Sequence, residues 1–355
     1  MKKSMSKTIG CVFTSSMLAL TVGCGNSTET GQSNTAGSSN PEAKESAASD
    51  KPIVIKFGHH LADSHSLSEQ VVKFADLVKE KSGGQMTVEI FSNGQIGDQR
   101  DLLEGLKLGT VNMSMGDAGL VSNYYPAMGI LDLPYIFDSM EHAKAALDGE
   151  AGKKLKEGVL EVAGFRTLVI EPQSYRHVIL GKKEISSFDE FNGLKLRTLQ
   201  APQIVETFKS FGSQPVALPT GEAFSAMQTG VVDGLESNAE FLQSIKIWEV
   251  GNYMVKTQHN LTNETFNISE QFYQSLSDEQ KKIIEDSLQE TVDWYFDYTQ
   301  QKEEEAFKAL ADNGIKTIDI DVEHFKKTAI PTAEKFVKDN GLEELYQLIQ
   351  DAKGK

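Results

Sequence analysis

Two cysteines in 355 residues, Cys11 and Cys24, are too few for a disulfide framework. The fold must therefore rest on a buried core, which a chain of this length can build, with room for two domains. Basic residues are also short: 35 Lys and Arg stand against 51 Asp and Glu, a formal charge of −16. Nucleic acid demands a basic footprint, so an acidic chain excludes it as a partner. A small anion is not excluded, because a buried arginine pair dominates its own site over distances below the screening length. The one sustained apolar run, Ile9 to Val22, falls short of the ~20 residues of a spanning helix. No GxGxxG, P-loop, GxSxG or HExxH is present, and no nucleophile, base and orienting group stand out together. That pattern fits a binding protein without a cofactor. What is present, 39% hydrophobic and 24% charged residues with 29 glycines, describes a globular chain, not a disordered or fibrous one.

The apolar run follows Lys2, Lys3 and Lys7 and ends at Gly23-Cys24. A charged region, an apolar region and a small residue before cysteine resemble a bacterial lipoprotein leader. Thr21 departs from the leucine usual in that cleavage box. The expectation is a signal peptide over 1–23 and lipidation of Cys24, with an uncleaved anchor helix or a plain secretory signal as the alternatives. Cleavage there also removes Cys11, which leaves no disulfide to form. One acyl chain holds a membrane weakly, but bacterial lipoproteins carry several, which makes a durable tether. Residues 24–50 are rich in Ser, Gly, Asn and Thr with no large apolar side chain, and read as a flexible linker. Their charges and those of the leader cancel, so the whole net charge belongs to residues 51–355.

The body opens with a strand from Ile53 to Phe57. A helix face follows at Val71, Phe74, Ala75 and Val78, closed by Ser82-Gly83-Gly84. Val88 and Ile90 mark a second strand. Gly94 to Gly97 turns into a helix carrying Leu102, Leu103 and Leu106, and Val111, Met113 and Met115 mark a third strand. The same plan recurs later. Leu194, Leu196 and Thr198 alternate with Lys195 and Arg197. Ile204, Val205 and Phe208 then recur at helical spacing up to Gly212. Pro215 to Leu218 reads as a strand, Glu222 to Gln228 as a helix and Val231 to Leu235 as a strand. Two β-α-β-α-β units call for parallel sheets covered by helices, whose ligands sit beyond the carboxyl ends of the strands. Arg197 lies at such an end, and Glu236, Ser237 and Asn238 follow another. A guanidinium there offers a planar fork that matches a carboxylate, although most arginines simply face solvent.

Between and after the units, Phe165 to Ile170 reads as a strand, and Arg176 to Leu180 begins the second unit's territory. Ser277-Asp278-Glu279-Gln280 is a capping box, followed by Ile283, Ile284, Leu288, Val292, Tyr295 and Phe296 at helical spacing. Phe307 and Leu310 resume the spacing, and Asn313-Gly314 stops it. The pattern allows one helix of ~50 Å at 1.5 Å per residue, or two broken near Gln300 to Glu305. His59, His60, Asp63 and His65 form a short cluster whose spacing fits no ordinary zinc pattern, so no metal is expected.

Several stretches in one order carry a resemblance. They are Lys56-Phe57-Gly58, Gly94-Gln95-Ile96-Gly97, Leu133-Pro134-Tyr135-Ile136-Phe137, Tyr175-Arg176, Gly193-Leu194-Lys195-Leu196-Arg197, Pro219 to Gln228 and Val232-Asp233-Gly234-Leu235-Glu236. Together they resemble the solute-binding proteins of tripartite ATP-independent periplasmic (TRAP) transporters of the dicarboxylate-binding type. The resemblance implies an α/β, two-lobe periplasmic-binding-protein fold of the type II kind, with a long helix spanning both lobes. The lobes are expected at 51–174 with 262–305 and at 175–261 with 306–355. It implies that Arg197 grips the ligand carboxylate and that Arg176 is a second arginine from the same lobe. His60, Asp117 and Gln99 match positions contacting the rest of the ligand. Asn238, or its neighbour Ser237, matches the family's ligand-binding asparagine, although Glu236-Ser237-Asn238 departs from the usual Glu-Asn-Pro. Thr220 and Leu120 stand where sialic acid binders carry an aromatic residue and an arginine, which argues against that ligand. With Gln200 added, the polar set suits a hexuronate or related aldonate better than a bare dicarboxylate. C4-dicarboxylates or keto acids are the runner-up ligands. The expected partners are a small organic acid and the membrane permease subunits of a TRAP transporter, outside the cytoplasm. The rivals are a ligand sensor for a membrane kinase and a secreted enzyme acting on sugar acids.

Overall fold

A computed structural model describes residues 52–354. The expected leader, linker and lipidation site at Cys24 lie outside the described residues. Strands β1 (Ile53–Gly58), β2 (Met86–Phe91) and β3 (Met113–Asp117) alternate with the helices Ser66–Lys81 and Gln99–Leu108, as the spacing predicts. Val71, Phe74 and Val78 bury one face of the first helix against the sheet, and Gly83 and Gly84 end it with positive φ. Asp98 caps the second helix: its carboxylate accepts from the N–H groups of Arg100 and Asp101, and its own N–H donates to the Asp101 carboxylate.

β4 (Phe165–Leu180) is a single strand of 16 residues where the sequence suggests two short ones. Its pairing shifts register between Pro172 and Tyr175, where proline has no N–H for the ladder. β5 (Lys195–Thr198), β6 (Gln214–Ala217) and β7 (Gly234–Asn238) follow, then β8 (Tyr253–Val255), β9 (Leu261–Ser269) and β10 (Lys316–Ile318). The strand order is β2-β1-β3-β9-β4-β7-β5-β6, with β8 joining β4 to β10. β1 pairs in parallel with β2 and β3, and β5 with β6 and β7, as two α/β units require. β9 and β4 run antiparallel to their neighbours, so both halves of the array are mixed, not purely parallel. β7 starts three residues later than the hydrophobic run suggests. Val231 is half exposed in the preceding turn, and Glu236, Ser237 and Asn238 are part of the strand instead of following it.

The long helix is unbroken: Asp278–Asp312, 35 residues, started by the Ser277/Gln280 capping box. Near Gln300 to Glu305 it carries no proline or glycine, so nothing there interrupts the hydrogen-bond ladder. Its amino-terminal part packs on helix Ser66–Lys81, and further along Phe307 meets the ring of His177 on β4 edge-on. The molecule is thus a two-lobe α/β fold with this helix spanning the lobes. Helix Val322–Asp339 packs on helix Pro202–Ser210 of the second lobe. Helix Glu343–Gln350 instead returns to helices Met140–Asp148 and Glu150–Val162 beside the first sheet. Its Leu345 and Ile349 are buried there, a return that no local pattern signals.

Candidate functional site

The two sheets meet where β3, β5 and β7 end, and buried charged side chains converge on one cavity between them. Arg197 sits at the end of β5 with no exposed surface. Its Nε and Nη2 donate to the carbonyl oxygen of Leu218 at 3.2 and 2.7 Å, and no carboxylate accepts a hydrogen bond from it. Burial lowers its pKa to about 10, with Glu236 opposing, so it stays charged at neutral pH.

Arg176 is placed differently. It lies on β4, opposite Asn238 of β7. Its Nε donates to Glu236 Oε2 at 2.5 Å and its Nη2 to Glu236 Oε1 at 3.1 Å, a bidentate pair with both partners buried. Nη1 reaches Thr262 Oγ1 at 3.2 Å and Asp117 Oδ1 at 3.4 Å. Burial opposes ionisation of Glu236, yet the Arg176 charge and hydrogen bonds hold its carboxyl down at about 2. The His259 Nε2 atom lies 3.5 Å from Glu236, too long for a good hydrogen bond and close enough for attraction. Glu236 also accepts from the Leu199 N–H at 3.1 Å, tying β7 to the segment after Arg197. Arg176 is therefore already neutralised, and Arg197 is the cation in the cavity wall without an anionic partner.

Asp117 ends β3 and heads the short helix Ala118–Val121 without capping it by its side chain. Its carboxylate turns instead to Gln99, which donates through Nε2 at 2.8 Å, while Gln99 Oε1 accepts from the Asp117 N–H at 2.8 Å. Gln99 also donates to Thr220 Oγ1 of the facing lobe at 3.1 Å. Asn238 Oδ1 caps helix Ala239–Ser244, accepting from Phe241 N at 2.8 Å, and its Nδ2 donates to Gln173 Oε1 at 3.1 Å. His60 lines the same cavity, and burial keeps its imidazole neutral well below the ordinary pKa. His60, Asp117, Arg176, Arg197, Ser237 and Asn238 thus share one cavity. Gln99 and Gln200 line the adjoining crevice, which also holds Leu120 and is joined to the cavity through Leu199 and Thr220. Both Ser237 and Asn238 face in, so the register after Glu236 does not separate them.

The cavity is nearly closed, with about 20 Å³ of space open to water, far below the ~300–1,000 Å³ usual for small-molecule sites, so a ligand enters only as the lobes part. Larger depressions exist, one of about 580 Å³ beside Lys182, Lys183 and Asp233 and one of about 340 Å³ beside Lys156, Arg166 and Glu285. Neither gathers buried charged side chains, as the interlobe cavity does with Asp117, Arg176, Arg197 and Glu264. Sequence reasoning missed Gln173, Phe241 and Glu264 in its walls. No sequence signal marks Glu264: the stretch Leu261–Ser269 is mostly polar, and the burial of all nine residues emerges only in the fold. Among the described residues, no group of three or more His, Cys, Asp or Glu is placed to hold a metal, and the His59, His60 and His65 rings do not form one.

The profile of the family described as bacterial extracellular solute-binding protein, family 7, of the DctP type, matches residues 57–340. The chain belongs to this family. As a TRAP-transporter solute-binding protein of DctP type it is an extracytoplasmic binding protein, not an enzyme. The sugar acid binding protein of Advenella mimigardefordensis, solved with galactonate, superposes with a TM-score of 0.82 at 27% identity, over 86% of this chain and all of that one. A TRAP solute-binding protein of Roseobacter denitrificans, solved with β-D-glucuronate, gives 0.80 at 28% identity, over 84% and 99%. The C4-dicarboxylate-binding protein DctB of Bacillus subtilis is 28% identical over 74% of each chain.

Proposed function

We infer that this protein captures a hexuronate or a related aldonate and delivers it to the permease subunits of a TRAP transporter. The observation that carries the reading is the contrast between the two buried arginines. Arg176 is matched by Glu236, while Arg197 has only the Leu218 carbonyl and stands in the cavity wall. A buried cation without an anion is costly, and a ligand carboxylate supplies the missing partner through parallel N–H bonds. Asp117, Asn238, Ser237, His60, Gln99 and Gln200 then offer acceptors and donors to ligand hydroxyls. Relatives solved with galactonate and glucuronate support the sugar-acid class. The similarity to the C4-dicarboxylate binder of B. subtilis favours dicarboxylates as the second reading. Arg176 acts through Glu236, as the strut that positions β4 against β7, and not as a second free fork.

Desolvation offsets much of the gain from a buried ion pair, so affinity and selectivity rest on geometry and on leaving no polar group unpaired. Calorimetric titration with D-glucuronate and D-galactonate tests the clamp. Arg197→Ala is expected to abolish binding, and Arg197→Lys to retain little, since an ammonium cannot reproduce the fork. Unchanged affinity in the alanine variant would defeat the assignment. The reading includes a tether: Lys2, Lys3, Lys7, the apolar run to Val22 and Gly23-Cys24 support lipidation at Cys24 beyond a signal peptide 1–23, with 24–50 as spacer. Cys24→Ser is expected to release the protein from membranes, and a membrane-bound variant would argue for an uncleaved anchor.

A further inference from the structure

Three carboxyl groups stand in a row across the first sheet. Asp117 of β3 lies directly opposite Glu264 of β9, and Glu264 directly opposite Glu171 of β4. Opposed residues of antiparallel strands project from the same face, with Cβ atoms ~4.5–5.5 Å apart. The three are 8%, 2% and 3% exposed, so water screens none of them well. The outer two each have a partner, although Glu171 Oε1 has none and burial raises Glu171 to about 8, so it too is largely protonated at neutral pH. Asp117 is met by Gln99 and Arg176, and Glu171 Oε2 accepts from Gln70 Nε2 at 3.1 Å. The central one does not: Glu264 Oε2 is buried without a hydrogen-bond partner, and the side chain lines the same cavity as Arg197. Like charges this close in a buried site do not all ionise, and the group with no compensating donor keeps its proton. Consistently, burial first, then the neighbouring Asp117 and Glu171, push Glu264 well above the carboxylate range, and Arg176 is too weak to reverse this.

We propose that Glu264 is a specificity-determining donor, giving its proton in a hydrogen bond to a hydroxyl or ring oxygen of the ligand, while the neighbouring Asp117 carboxylate disfavours a second carboxylate at that wall. The two sheets then read the ligand differently. The second sheet supplies the cation, Arg197, and the first supplies a neutral O–H donor beside the Asp117 acceptor. A polyhydroxy monocarboxylate satisfies both walls. A C4-dicarboxylate brings its second charge beside Asp117, whose repulsion opposes the hydrogen bond that the Glu264 proton would otherwise give it. This deepens the sugar-acid reading and rests on it for the identity of the ligand.

The test combines infrared spectroscopy of the ligand-free protein at neutral pH with calorimetric titrations of D-glucuronate and L-malate. A protonated-carboxyl carbonyl band present in the wild type and diminished in Glu264→Gln is expected; an identical band in both overturns the proposal. Glu264→Ala is expected to weaken glucuronate about ten- to hundredfold, and Glu264→Gln, which still donates through N–H, by less than about tenfold. Wild-type protein is expected to bind malate at least about a hundredfold more weakly than glucuronate. Equal affinity for the two acids, or unchanged glucuronate affinity in Glu264→Ala, overturns the donor role and leaves the clamp reading standing. If the wild type binds neither glucuronate nor malate, the sugar-acid reading itself fails and the donor role falls with it.

Discussion

Glu236 is fully buried, accepts two hydrogen bonds from Arg176 and one from the Leu199 N–H, and is the only carboxylate in that bidentate pairing. Removing its charge by Glu236→Gln leaves the buried Arg176 guanidinium with the longer contact to Asp117 as its remaining anionic hydrogen bond. A loss of about 3–5 kcal/mol is expected for breaking such a pair, read by denaturant unfolding. Loss near zero would mean that the pair is not formed in solution. The histidines add a second expectation at this scale. Burial lowers His59 to about 4 and His177 to about 3, and the His177 Nδ1 atom has no hydrogen-bond partner. Between the unfolded value of ~6.5 and these folded values the unfolded chain binds more protons, so stability present above pH 6.5 is lost as the pH falls. His177→Leu is expected to flatten that acid limb by up to about 1.4 kcal/mol per pH unit between pH 6 and 4. An unchanged slope would contradict it.

The strands and helices near the site owe their positions to signals of unequal strength. Arg197 at the end of β5 was legible because a short alternating strand followed by Pro202 leaves few choices for where the strand ends. The capping box at Ser277 was equally legible, and the single helix it opens settles a break that apolar spacing leaves open. Ser277→Ala is expected to cost about 1 kcal/mol in thermal or denaturant unfolding, since Gln280 then loses its reciprocal partner. A neutral result would mean that the first turn is frayed. β4 and β9 were less legible because their partners are remote in sequence and their pairing is antiparallel. Without β9 in hand, nothing brought Glu264 next to Asp117. The bidentate capture of Arg176 by Glu236 was hidden for a related reason: it depends on β4 crossing to β7, a contact between residues 60 apart.

At the scale of the molecule, the lobes touch across the cleft through Gln99 and Thr220, and through Asn123, whose Nδ2 donates to the Gln200 carbonyl at 3.3 Å. Gly119 is hemmed in on both sides: an added Cβ would lie closest to the Asp132 carboxyl of its own lobe and 2.9 Å from the Ala201 Cβ of the facing one. Gly119→Val is therefore expected to displace Asp132 and press on Ala201, widening the cleft and abolishing any ligand-induced fall in the radius of gyration in small-angle scattering, with circular dichroism checking that the fold survives. Normal compaction in that variant would mean that closure does not bring these surfaces together. The central claim, that the unpaired fork of Arg197 receives the ligand carboxylate, is tested most directly by a crystal structure with D-glucuronate or D-galactonate bound. The expected result is both carboxylate oxygens within about 2.7–2.9 Å of the Arg197 guanidinium nitrogens. A carboxylate held elsewhere, with Arg197 still bonded only to the Leu218 carbonyl, would contradict it.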